Sequence, residues 1–142
     1  MVAFDSKSGV LPSFHEPIEK QFPIVWAPDV GCVAAGLLSA PVARTTTPRI
    51  VYVEGPRRYS ASDVVETLAT LLGCPVVAQA VPRERRLPAL VGGVLSESYA
   101  RLIVELYDTQ NAGGIEIEDG AAECGRGATT LAEGLARITA RS

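Results

Sequence analysis

The chain is short of the residues on which most catalytic and metal chemistry rests. Its 142 residues hold one histidine, His15, and two lysines, Lys7 and Lys20. A lone histidine cannot build a histidine metal cluster, and no cysteine lies at dyad spacing from it. The Tyr-x-x-x-Lys pair, in which a lysine lowers the tyrosine pKa for proton transfer, is missing. Four residues after Tyr52, Tyr59, Tyr99 and Tyr107 stand Pro56, Asp63, Ile103 and Asn111. Cysteine is scarce and odd in number: Cys32, Cys74 and Cys124 form no C-x-x-C and fit no zinc spacing. Two of them sit in apolar runs, so buried, reduced thiols are expected. Net charge is −3, without the basic excess that grips phosphate backbones, which excludes electrostatic nucleic-acid binding. No run approaches the roughly 18 apolar residues that span a membrane. The opening "MVAFDSKSGVLPSF" carries an acid at Asp5 and no long apolar core, so it does not read as a secretory signal. These absences point to a soluble, cytoplasmic protein with no nucleic-acid or membrane partner.

Phosphate loops are lacking as well. "GAAECGRG", from Gly120, starts like G-x-x-x-x-G-K-[ST], but Arg126 replaces the lysine and Gly127 the hydroxyl residue. "GRGATT" carries two of the glycines of G-x-G-x-x-G and lacks the last. The carboxylates Glu116 and Glu118 in "IEIED" sit two apart on a short edge strand, where solvated residues are the ordinary reading. No motif specifies an enzyme on its own.

What is present is apolar: 47% of the chain is hydrophobic, enough for a core or for a face that expects a partner. Residues 1–28 hold Pro12, Pro17, Pro23 and Pro28, which forbid a helix and break any central strand. Phe14, Phe22, Ile24, Val25 and Trp26 make the same stretch too apolar for a disordered tail, so an irregular segment packed over something is expected. Asp29 is placed to cap a helix through "DVGCVAAGLL", with Val33 and Leu37 on a close-packing face and Pro41 near its end. "RIVYVEG" reads as a strand covered on both faces, as in a parallel sheet. "GPRRYS" is a turn. Ser60 with Asp63 resembles a capping box, Val64 to Leu72 recur at helical spacing, and Gly73 is a C-terminal stop. "PVVAQAV" is a second strand, and residues 82–93 are one short helix or two turns. "SESYARLIVELYDTQNAGG" is a helix capped by Ser96, with Tyr99, Leu102, Ile103 and Leu106 on one apolar stripe. "TTLAEGLARITA" is the last helix, capped by Thr129 or Thr130. Arg57, Arg58, Arg83, Arg85 and Arg86 form two basic clusters: a solvated face, or a contact to an anion, a partner, or the acidic stretch from Glu105 to Glu123.

The ordered set "GVLPSF", "VWAPDVGCVAAGLL", "VYVEGPRRYSASDVVETLATLLGCPVVAQAVPRER", "SESYARLIVELYDTQNAGGIEI" and "GATTLAEGL" resembles the C-terminal half of an NmrA-like protein. That family comprises atypical short-chain dehydrogenases/reductases with an NAD(P)-binding Rossmann fold. The resemblance runs from about Gly9 to Arg137. It implies an α/β fold: the C-terminal portion of a Rossmann-like domain, with a few short, mainly parallel strands and a small helical substrate-side lobe. Residues 1–142 are expected to form a single, partial domain whose N-terminal cofactor-binding half is absent. The Gly-rich cofactor loop would lie ahead of Met1, so no cofactor is expected on this chain alone, while full-length relatives imply NAD(P)H. The segment "GVLPSFHEP" and the lobe would wall a substrate cleft over the nicotinamide. By position Phe14, His15 and Trp26 are the candidates for that wall; Phe14 and Trp26 fit the core equally well. Asp29 matches the family's D-[IV]-G helix start. Relatives commonly carry an aromatic near Arg86, which this chain lacks; that departure bears on the packing of the small lobe or on the substrate shape.

Two functions follow. One is the substrate-side portion of an NAD(P)H-dependent reductase of a quinone or other small carbonyl compound, inactive alone. The other is a non-catalytic redox-sensing or protein-interaction module, docking a separately encoded Rossmann half or another protein at an exposed sheet edge. A non-functional gene remnant fits the sequence as well.

Overall fold

The computed structural model describes residues 9–41, 49–92, 95–114 and 123–140. The chain divides into two compact units, one of Met1–Gln21 with Ser60–Glu116 and one of Phe22–Tyr59 with Ile117–Ser142. The architecture is mixed α/β. Among the described residues the strands form three two-stranded sheets, two parallel and one antiparallel.

In the first unit β1 (Val10–Ser13) runs parallel to β5 (Val77–Ala80), with Val10 opposite Val77 and Ser13 opposite Ala80. The proline-dense start therefore contains a strand where an irregular segment is expected. A two-stranded sheet consists only of edges, and an edge tolerates proline. Gly9 and Ser13 carbonyls accept from Val77 and Val81, so the intervening Pro12 falls where an N–H would point away from β5. Helix α2 (Ala61–Leu72) packs on β5. Its capping box is complete: Ser60 Oγ accepts from the Asp63 N–H at 3.1 Å, and the Asp63 carboxylate accepts from the Ser60 N–H at 2.7 Å. Gly73, with φ +66°, ends the helix as read. Residues 83–91 form the single helix α3 (Arg83–Val91), with Pro88 inside it, and α3 packs on α4 (Glu97–Asn111).

The inward face of α4 is not the apolar stripe. Tyr99, Leu102 and Leu106 are exposed, Leu102 by 60%, and the buried residues are Ala100 and Val104. Ala100, Val104 and Asp108 recur at four-residue spacing. Two small or branched side chains admit a close neighbour, and Asp108 then reaches the arginines of α3.

In the second unit β2 (Phe22–Pro23) pairs antiparallel with β4 (Arg58–Tyr59), bringing the buried Phe22 and Tyr59 opposite each other. The turn expected at "GPRRYS" thus ends in a strand. β3 (Val51–Glu54) runs parallel to β6 (Glu123–Arg126), as a parallel reading of "RIVYVEG" requires. It is not covered on both faces: Ile50 and Tyr52 are exposed. Strand β6 was not legible as one, because "ECGR" has neither alternation nor β-branched residues. The strand expected at "IEIED" lies outside the described residues.

Helix α1 (Ala27–Ser39) packs on β6, where Val33 lies against Gly125, yet none of its residues is buried. The close-packing face expected at Val33 and Leu37 is thus only half formed in this chain. The thiols are corrected for the same reason: Cys32, Cys74 and Cys124 are all exposed, on α1, just past Gly73, and on the edge strand β6. An apolar run around a cysteine signals burial only where a second layer covers it.

Asp29 does not cap α1. The helix starts at Ala27 after Trp26, with no side-chain cap and proline in its first turn. The Asp29 carboxylate instead accepts from the N–H and hydroxyl of Thr129, at 2.8 and 2.9 Å, ahead of α5 (Leu131–Thr139). Thr130 caps α5 in a box with Glu133.

Candidate functional site

The first unit gathers a polar cluster around the turn that follows β1. Phe14 is buried with 4% exposure and meets the ring of Tyr107 edge-on, the centroids 5.2 Å apart. His15 is half-buried and also lies edge-to-face on Tyr107, at 4.9 Å. Burial holds the Tyr107 phenol above its ordinary pKa.

The backbone on both sides of His15 is tied down. The Ser13 hydroxyl accepts from the His15 N–H and donates to its carbonyl, both at 3.1 Å. The Asn111 side chain donates to the Phe14 carbonyl at 2.9 Å and accepts from the Glu16 N–H at 3.1 Å. Lys20 donates to the Gln110 and Asn111 carbonyls, at 3.1 and 2.6 Å, placing a cation on the negative end of α4. The turn is thereby fastened to the C-terminal turn of one helix.

A second fastening comes from α3. Arg86 is 2% exposed, and its guanidinium is saturated along three directions. Nε donates to the Val81 carbonyl at 3.0 Å, Nη1 to Asp108 at 3.1 Å and Nη2 to Glu16 at 3.0 Å. Arg83 adds a bond to Asp108 at 2.7 Å. Glu16, Arg83, Arg86, Asp108 and Asn111 line an open hollow of about 510 Å³. Two carboxylates facing two guanidiniums leave its rim electrically balanced, so it makes no anion cradle. The alternatives left open for the arginine clusters divide accordingly. Arg83 and Arg86 pair with Asp108 of the acidic stretch, while Arg57 lies over the Tyr59 ring at 4.2 Å in the second unit.

His15 is shifted downward from its ordinary pKa. Burial is the largest cause, Arg86 and Lys20 act in the same direction, and a hydrogen bond to Asn111 opposes them. The net effect disfavours the imidazolium.

Phe14 and His15 stand together against Tyr107. Trp26, the third candidate, belongs to the other unit, where its ring packs on α5 at Gly134, a position at which an added Cβ would lie 3.3 Å from the ring. Sequence reasoning missed Tyr107, Asp108 and Asn111. Their signal is faint: they sit on the last turn of a helix read only for its apolar stripe. For Arg86 there was a signal, the i, i+3 spacing of Arg83 and Arg86, but no means of choosing a partner.

Phosphate needs free N–H groups at a helix N-terminus. Here the starts of α2 and α5 are filled by Asp63 and Glu133, and the turn before α5 is filled by Asp29. Those three positions hold carboxylates, whereas the starts of α1 and α3 carry no side-chain cap. Among the described residues no three metal-ligating side chains gather, and no helix is long and apolar enough to cross a membrane.

No family model matches the chain, and no curated protein matches its sequence. Solved structures do. Among them is Citrobacter sp. triphenylmethane reductase complexed with NADP(H), with a TM-score of 0.68 at 18% identity over 93% of this chain and 45% of that one. A second structure of that reductase, concerned with the bioremediation of triphenylmethane dyes, gives 0.67 at 17% identity over 96% and 46%. The chain spans less than half the length of these reductases, and at such identity the likeness establishes the fold. The chain thus has the mixed α/β fold of the matching part of those structures.

Proposed function

We propose that this chain is the substrate-side, C-terminal portion of an NmrA-like NAD(P)H-dependent reductase of the cytoplasm, acting on a quinone or other small carbonyl compound. The observation that carries the reading is the match of 93% of this chain to under half of a reductase that was solved with NADP(H). Phe14 and His15, fastened beside Tyr107, form one wall of the substrate cleft. The reading implies a division of labour in which the dinucleotide is held by residues outside these 142. The chain alone then positions substrate without transferring hydride.

A second reading, a non-catalytic redox-sensing or protein-interaction module, is favoured by the exposed stripe of Tyr99, Leu102 and Leu106. One experiment separates the two. The reading frame upstream of Met1 is sequenced, and the extended protein and the 142-residue chain are both assayed for NADPH oxidation with a series of quinones. A G-x-x-G-x-x-G segment upstream, turnover by the extended protein and none by the short chain support the reductase. Robust turnover by the short chain sinks the division of labour. Unrelated upstream sequence, with one cooperative unfolding transition of the short chain coincident in Trp26 fluorescence and circular dichroism, establishes the module.

A further inference from the structure

The two peptide groups that flank His15 carry four polar atoms, and two side chains satisfy all of them. In the peptide between Phe14 and His15, the carbonyl accepts from the Asn111 amide at 2.9 Å and the N–H donates to the Ser13 hydroxyl at 3.1 Å. In the peptide between His15 and Glu16, the carbonyl accepts from the same hydroxyl and the N–H donates to Oδ1 of Asn111, both at 3.1 Å. Each peptide plane is thus held on both sides, which fixes φ and ψ of His15 and with them the direction of its Cα–Cβ bond. Ser13 lies next to the turn, at the end of β1. Asn111 reaches it across 95 residues of chain and stands one helical turn beyond Tyr107 on α4. One helix therefore carries both the ring that Phe14 and His15 meet and the amide that orients their backbone.

We propose that Asn111 is a positioning residue: its side-chain amide clamps the peptides on either side of His15 and so holds the Phe14 and His15 rings against Tyr107. This deepens the reading of the turn as a substrate wall and rests on that reading for its purpose. The clamp requires an amide. Asparagine presents a donor and an acceptor on one short stem, matching one carbonyl and one N–H. Aspartate would present acceptors alone, and leucine neither. A wall whose backbone is fixed beforehand loses little conformational freedom when a substrate packs on it.

The chain holds one histidine, so its imidazole protons are identified directly in proton NMR of the 142-residue chain. Spectra are taken at about pH 9, where the imidazole is uncharged. Tyr107→Leu removes the ring and gives the positions of the His15 signals without its ring current. Asn111→Leu keeps the size of the side chain and loses both hydrogen bonds. In that variant the His15 signals should move most of the way to their Tyr107→Leu positions. A residue that only stabilises the end of α4 would lower the urea midpoint and leave those signals in place. Unmoved signals in a folded Asn111→Leu therefore overturn the proposal. Should that variant fail to fold, hydrogen exchange in the unsubstituted chain decides. Glu16 is an exposed residue whose N–H is donated to Asn111. That N–H should exchange more slowly than a free amide by about tenfold or more, and exchange at the free rate overturns the proposal. Neither readout depends on turnover, so failure of the reductase reading and failure of this one remain distinguishable.

Discussion

Asp29 and Thr129, a hundred residues apart, meet through both oxygens of the carboxylate: one accepts from the Thr129 N–H at 2.8 Å and the other from its hydroxyl at 2.9 Å. The pair joins the first turn of α1 to the turn that precedes α5. The Thr129 N–H is the main reason the Asp29 carboxyl lies below its ordinary pKa. The Thr129 hydroxyl, the Ala128 N–H and Arg137 add to it, against some desolvation. A carboxyl held lower in the folded chain contributes stability above its unfolded pKa, near 3.8, and that contribution is lost as pH falls through the folded value. Asp29→Asn should therefore lower the urea midpoint at pH 6, followed by Trp26 fluorescence in the same unit. The difference between variant and parent should close as the pH is taken below about 3.8.

Gly127 sits against the Asp29 side chain, which leaves no room for a Cβ unless that side chain shifts. It is buried, its N–H donates to the Glu54 carbonyl at 2.7 Å, and an added Cβ would lie 2.6 Å from an Asp29 oxygen. Gly127→Ala should cost about 1–3 kcal/mol by overpacking. Because the clash is with Asp29, the cost in an Asp29→Ala background should be smaller, and a double-mutant cycle in urea measures that coupling.

The Arg86 network makes an ordered prediction. Glu16 is 59% exposed at its side chain and Asp108 27%, whereas Arg86 is buried. Glu16→Gln removes a well-hydrated partner and should cost no more than about 1 kcal/mol. Asp108→Asn strips the buried cation of its better-shielded partner, and releases Arg83 as well. It should cost roughly 2–3 kcal/mol, below the figure for a fully buried pair because Asp108 keeps some solvent. Urea unfolding followed by circular dichroism gives the order, and a larger loss from Glu16 than from Asp108 contradicts this account.

His15 gives a pH dependence of its own. Its folded pKa lies below the ordinary 6.5, so the unfolded chain takes up the proton first. Stability is then full above about 6.5 and declines as pH falls below it, the slope ending once the folded value is passed. His15→Asn should flatten the fall of the urea midpoint that begins below about pH 6.5.

The local punctuation of this fold was legible residue by residue. Ser60 with Asp63, Gly73 and Ser96 mark helix ends through bonds made within four residues, and the structure places each of them so; of the two caps open at the last helix, Thr129 or Thr130, it selects Thr130. The strands "VYVE" and "VAQA" were readable from their apolar, β-branched content. Pairing was not. β6 is a strand only because β3 lies beside it, and β1 keeps its proline only because its sheet has two strands. The same holds for the candidate site: Phe14 and His15 could be named from their position, but Tyr107 and Asn111 join them across more than ninety residues.

The sequence by itself determined the class of elements and most of the helix ends. Those are properties of composition and of bonds between near neighbours. Tertiary structure alone decided which face of α4 turns inward, that Asp29 serves the turn before α5 rather than α1, and that Glu16 is drawn onto Arg86. Each of those outcomes is a choice among partners of equal local merit. Proximity across the fold makes that choice, through desolvation and geometry that no short stretch of chain contains.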